Sequence, residues 1–157
     1  MTNTLELKHT FWKALADGPF LFLQLDADPH TAVPMTAQLD KEAEHAIWFF
    51  LSSDHTFAGG GPATATFASK GHDMFARFSG TLAPELSRER LDKEWSKQTE
   101  AWFPGGKDDP KLLMMRLDLT GEAEIWNADL GFVDGAKIAM GIDVREDAEK
   151  EHTQTTL

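Results

Sequence analysis

The feature that most constrains this chain is a series of short apolar stretches between Phe20 and Leu82, separated only by turn-length breaks. Phe20–Leu25 follows the breaker Asp17-Gly18-Pro19. Val33, Met35, Ala37 and Leu39 then alternate with Pro34, Thr36 and Gln38. Ala46–Leu51 is the most hydrophobic run, and Ala63–Ser69 alternates again. Met74–Leu82 places Met74, Ala76 and Phe78 on one side and Phe75, Arg77 and Ser79 on the other. Alternation with period two marks strands with one buried face. Five such strands with no helix between them do not fit the alternating order of a parallel sheet, which needs a long crossover at each step. The chain is expected to be mainly β, a barrel with flanking helices.

The helical signals lie at the edges of this block. Leu7, Phe11, Trp12 and Leu15 share one face of Thr4–Asp17, and Gly18-Pro19 stops that helix. Leu91, Trp95 and Trp102 recur among charged residues between Pro84 and Phe103, with Ser87 as N-cap and Pro104-Gly-Gly106 as terminator. Leu112–Leu119 and Glu122–Trp126 read as two more strands, for about seven in all. Pro34 lies inside a strand and cannot donate to a ladder, so it belongs on an edge or at a bulge. Asp26–His30 reads as a turn. Residues 1–142 are expected to form one domain, and the polar, aperiodic residues 143–157 a mobile tail.

Composition removes several functions. There is no cysteine, so disulfides, thiolate metal sites and cysteine nucleophiles are excluded. The formal charge is −11 and the 15 Lys and Arg are scattered, which argues against nucleic-acid binding. The first ten residues lack a basic stretch followed by an apolar one, and no apolar run approaches a membrane span. A cytoplasmic, membrane-free protein is the expectation. The six histidines show no metal-ligand spacing. No G-x-S-x-G elbow is present, and Gly59-Gly-Gly61 lacks the G-x-G-x-x-G spacing of a dinucleotide loop.

One constellation has chemistry in it. Ser52, Ser53, His55 and Thr56 cluster at the end of the most hydrophobic strand, and Lys70 and His72 stand at a hairpin turn. Hydroxyls, backbone N–H groups and a cation are what a phosphate needs, and these residues would supply them if the two turns meet. Polar strand ends are also ordinary in any soluble protein.

The ordered motifs resemble those of general stress proteins related to pyridoxamine 5′-phosphate oxidase. Val33–Asp40 resembles the first flavin-binding strand of that family. Ile47–Phe50 with Ser52–Asp54 resembles the second, and Ala65–Asp73 with Phe78–Leu82 the central hairpin. Glu94-Trp95, Ala101–Pro110 and Ala123–Trp126 complete the series, over roughly residues 8 to 130. The resemblance implies an FMN-binding split barrel of Greek-key topology, working as a homodimer with its cofactor sites at the subunit interface. Carried over by position, Val33, Pro34, Met35 and Thr36 would line the isoalloxazine ring. Phe49, Phe50, Leu51 and Ser52 would run beside the ring and ribityl chain. Ser53, His55 and Thr56 would approach the phosphate, with Lys70 as its cation. Trp102, Phe103 and Trp126 would come from the second subunit.

This chain has Val33 and Ser53 where many members of that family carry Arg and Lys. A charge-assisted hydrogen bond is worth roughly 1.5–3 kcal/mol, so each missing cation implies FMN binding weaker by about ten- to a hundredfold. Lys70 and His55 are the candidates to compensate. The implied activity is that of a flavin-dependent oxidoreductase of unknown substrate. No acid or base suited to pyridoxamine phosphate oxidation is evident. The alternative is a protein that binds, stores or senses a flavin or another flat cofactor without turnover.

Overall fold

The computed structural model describes residues 4–127 and 152–157. Helix α1 (Thr4–Asp17) leads into β1 (Phe20–Leu25), β2 (Asp28–Thr36), β3 (Ala46–Ser52), β4 (Gly61–Ala68) and β5 (Met74–Pro84). Helices α2 (Arg88–Glu94) and α3 (Lys97–Trp102) follow, then β6 (Leu112–Asp118), β7 (Ala123–Asn127) and β8 (His152–Thr155). No helix among the described residues is long and apolar enough to cross a membrane.

The strands form one curled antiparallel sheet in the order β2-β1-β4-β5-β6-β3, with β7 also on β5 and β8 on β7. The two ends of this order meet at a single bridge. Gln38, just past β2, exchanges hydrogen bonds of 2.8 and 3.0 Å with Trp48 of β3. The fold is the mainly-β barrel that the alternation predicts. Pro34 sits on β2, an outer strand of the order, where a missing N–H is tolerated.

Strand β5 gives the barrel its shape by changing partners. Met74–Phe78 pairs with β7, and Thr81–Pro84 pairs with β6. On its other side β5 stays on β4 throughout, from Gly61↔Leu82 to Ala68↔Phe75. The change falls at Ser79 and Gly80. Ser79 exchanges backbone hydrogen bonds with Glu122 and Gly121 at 3.1 Å, and Gly80 passes directly beneath the carbonyl of Asp118. A Cβ on Gly80 would lie 1.9 Å from that oxygen, so only glycine fits.

Helix α1 plugs the barrel. Leu7, Phe11 and Leu15 recur every four residues and are fully buried. The Phe11 ring meets Phe67 and Phe78 edge-on at 5.9 and 5.4 Å. Strand β3 is buried on both faces, which explains why its sequence does not alternate. Ile47, Phe49 and Leu51 enter the barrel core, whereas Ala46 and Trp48 pack outward with Ala43 and Met114, with Leu91 of α2 against them. Trp48 donates its indole N–H to Glu85 at 2.9 Å, and the Arg90 guanidinium lies 4.1 Å over its ring.

That guanidinium belongs to a charge cluster that holds α2 down. Arg90 reaches Asp40 at 2.6 Å and Glu94 at 3.2 Å, and Lys93 reaches Asp40 at 2.7 Å. Hydrogen bonds from Lys93 and then Arg90 hold the Asp40 carboxyl well below the usual carboxylate range. Burial pushes Glu94 the other way, above its ordinary value, against the pull of Arg90.

Three sequence expectations need correction. The helix expected between Pro84 and Phe103 is two helices. Trp95 is extended, Ser96 caps α3 by accepting the Thr99 N–H at 3.3 Å, and the Trp95 ring packs edge-on against Phe50. The turn expected at Asp26–His30 is only Asp26-Ala27, because Asp28–His30 already pairs as the start of β2. Part of the expected tail is tied down: β8 pairs with β7 from Ala123↔Thr155 to Trp126↔His152. The boundary expected between residues 142 and 143 lies outside the described residues.

Two outcomes follow from this packing. Gly80→Ala is expected to lower unfolding stability by about 3 kcal/mol through the clash with Asp118, read as a lower denaturant midpoint. Asp40→Asn is expected to lower the melting temperature by several degrees at neutral pH. Because the folded-state pKa of Asp40 is depressed, its contribution is full above the ordinary carboxylate value and fades as pH falls below it. The gap between the two proteins should therefore close in acid.

Candidate functional site

The site begins where β2 and β3 part company. Among the described residues β2 pairs with β1 alone and β3 with β6 alone, apart from the Gln38–Trp48 bridge. Continuing that bridge's register would set Thr36 opposite Phe50 and Pro34 opposite Ser52, but no ladder forms there. A strand edge without a neighbour presents backbone N–H and C=O groups to whatever lies beside it.

The residues expected at this opening divide by face. Pro34 and Thr36 are exposed, while Val33 and Met35 lean half-buried against the core. Phe50 and Ser52 are half-buried on the outer side of β3. Phe49 and Leu51 are buried in the barrel core, so only their backbone is at the edge.

Beyond Ser52 the chain turns tightly, and its polar groups organise that turn. The Ser52 hydroxyl donates to Asp54 at 2.5 Å, and the His55 N–H donates to the Ser52 carbonyl at 2.9 Å. His55 Nδ1 accepts the Phe57 N–H at 3.1 Å and caps the short 3-10 turn Thr56–Gly59. The neutral imidazole then carries its proton on Nε2. Its ring lies 4.7 Å from that of the fully buried Phe57, which fixes its position. The Ser52 hydroxyl, with lesser help from the Asp54 backbone N–H and the charge of Lys111, holds the Asp54 carboxyl below its ordinary range. Ser53 and Thr56 are exposed.

Lys70 does not join this group within one chain. The Thr56–Gly59 turn precedes β4 and Lys70 follows it. Eight residues of strand, at roughly 3.3 Å each, hold the two turns about 23 Å apart. Lys70 instead lies against the α1–β1 corner, with its Cβ 3.5 Å from where a Gly18 Cβ would be. Trp126 lies toward the same end as Lys70, since it is paired with Phe75. It stacks on His152 at 5.1 Å and 15°. Trp102 stands 82% exposed at the end of α3, whereas Phe103 is buried in its own chain.

Sequence reasoning missed Lys111. Antiparallel pairing of β3 with β6 sets Ser52 opposite Leu112, and the Ser53 N–H donates to the Lys111 carbonyl at 2.8 Å. This pairing joins segments far apart in the chain, so no local pattern signals it. Among the described residues no group of histidines and carboxylates could hold a metal ion. The arrangement offers open backbone edges, three hydroxyls, an oriented imidazole and one lysine. That donor set suits a flat heterocycle carrying an anionic tail.

Comparison with known proteins follows the same line. The sequence profile described as pyridoxamine 5′-phosphate oxidase like matches residues 6–146. A crystal structure of a general stress family protein from Xanthomonas campestris is 40% identical, with a TM-score of 0.73, over 81% of this chain and 90% of that one. The general stress FMN/FAD binding protein of Xanthomonas citri is 39% identical, with a TM-score of 0.73, over 80% and 91%. A general stress protein 26 from Jannaschia is 27% identical, with a TM-score of 0.77, over 99% and 100%. No curated protein matches the sequence.

Proposed function

The chain belongs to the pyridoxamine 5′-phosphate oxidase-like family, and from that premise we propose that it is a flavin-binding oxidoreductase that takes FMN at the open edges of β2 and β3. The observation that carries this reading is the parting of the two strands after the Gln38–Trp48 bridge, next to the hydroxyl-rich turn Ser52–Thr56. The pyrimidine part of an isoalloxazine presents carbonyl acceptors and an N–H donor in one plane, which unpaired backbone groups can meet. The relative from Xanthomonas citri, named for FMN or FAD binding, supports the flavin.

In this reading the backbone of Val33–Thr36 and Phe50–Ser52 holds and orients the ring, and Ser53, His55 and Thr56 hold the phosphate end. When bound, the flavin supplies the electron transfer. The described residues flanking the opening contain no acid–base pair: His55 Nδ1 is committed to the Phe57 N–H and Asp54 to Ser52. That observation favours a second reading, a flavin carrier or sensor without turnover.

The homodimer is also a proposal, and its support is the outer face of the sheet. Pro34, Phe22, Thr66, Arg77 and Glu124 form one row across β2, β1, β4, β5 and β7. In the adjacent row stand Thr36 and Phe20 on one side, and Ala68, Phe75 and Trp126 on the other. Phe20 is 65% exposed and Phe22 51%. Exposed aromatic rings gathered on one sheet face, here Phe20, Phe22 and Phe75, support association there. A second copy of the chain is the proposed occupant.

FMN added at tens of micromolar should bind with quenching of its fluorescence, and unchanged fluorescence would reject the reading. With flavin bound, anaerobic loss of visible absorbance on adding NADH or NADPH separates the oxidoreductase from the carrier. Light scattering should give twice the 17.5 kDa chain mass, and a mass of one chain would reject the dimer.

A further inference from the structure

We infer that Lys111 is the cation for the phosphate end of the flavin, a role that rests on the flavin reading above. Residues directly opposite in an antiparallel pair project from the same face, with Cβ atoms about 5 Å apart. The ladder ends with Ser52 opposite Leu112, and one residue further out the Ser53 N–H donates to the Lys111 carbonyl at 2.8 Å, carrying the same register one step on. The Lys111 side chain therefore shares the face of the Ser53 hydroxyl, at the mouth of the Ser52–Thr56 turn.

Its ammonium is not locked in a salt bridge, although its charge acts on both Asp54 and Asp109. Lys93 is bound to Asp40 and Lys107 to Asp92. The Lys111 ammonium makes no ion pair or hydrogen bond among the described residues. The acids nearby are already engaged. Asp54 accepts the Ser52 hydroxyl, and Asp109 accepts the backbone N–H groups of Gly105 and Lys111 itself. Those bonds fix the corner from which Lys111 projects. In a chain of formal charge −11, with Asp54 beside the turn, a phosphate needs a cation close by. Lys70, about 23 Å away along β4, cannot provide it within the same chain. The ligand class is thus a flavin phosphomonoester, with affinity gained specifically at its phosphate.

The test compares FMN with riboflavin, which lacks the phosphate, by fluorescence titration of the intact protein and of Lys111→Met. Lys111 is exposed and its carbonyl bond to Ser53 survives the substitution. FMN affinity should fall about tenfold or more and riboflavin affinity should change less than about twofold. Ser53→Lys in the Lys111→Met background should restore FMN affinity, because it returns an ammonium to the same face. Equal loss for both ligands, or no loss for either, would overturn the role of Lys111 while leaving flavin binding in place. A wild-type protein that binds neither ligand would instead remove the flavin reading, and this inference with it.

Discussion

Strand β5 serves two partners on one edge, and the exchange at Ser79 and Gly80 sets the layout of the molecule. Below the exchange β5 holds β7, which in turn carries β8. Above it β5 holds β6, which carries β3. The exchange requires the β5 backbone to pass against the Asp118 carbonyl, closer than any side chain allows. Because β6 leaves toward β3, the turn after Ser52 and the residues before Leu112 arrive at one corner. Because β7 stays at the other half of β5, Trp126 and the Lys70 hairpin are held away from that corner. The position of the candidate site is a consequence of this topology.

The corner is stiffened from two sides. Inside, Phe49, Leu51 and Phe57 anchor β3 and the 3-10 turn in the core with α1. Outside, Trp48 is clamped by Glu85 and Arg90 and roofed by α2. A rigid scaffold with open edges is what a bound heterocycle requires, since ordering the site does not then draw on binding energy. The side chains most buried here serve the scaffold, and the groups left for a ligand are backbone edges, hydroxyls and Lys111.

Much of this was legible in the sequence. A short apolar run after a breaker located β1, alternation located β4, β5 and the second half of β2, and Leu7, Phe11 and Leu15 located the buried face of α1. Pro34 marked an edge or a bulge, and β2 is an outer strand of the sheet order. What was not legible has specific causes. His152–Thr155 is polar and aperiodic, and becomes a strand only because β7 offers it an edge. The break at Trp95 follows from the Ser96 cap and from Phe50, a tertiary neighbour. Lys70 and Ser53 lie apart within one chain because both residues flank β4, and closeness in sequence across a strand means separation in space. Lys111 stayed hidden because a cross-strand partner far along the chain leaves no local signal.

The central claim is that a flavin occupies the parting of β2 and β3 and the turn that follows. Hydrogen–deuterium exchange with and without FMN tests it directly. The account predicts slower exchange over residues 33–36 and 50–56 on adding FMN, with the hairpin at 69–73 unchanged. Protection confined to 69–73, or no protection at 33–36 and 50–56 under conditions where FMN binds, would contradict it.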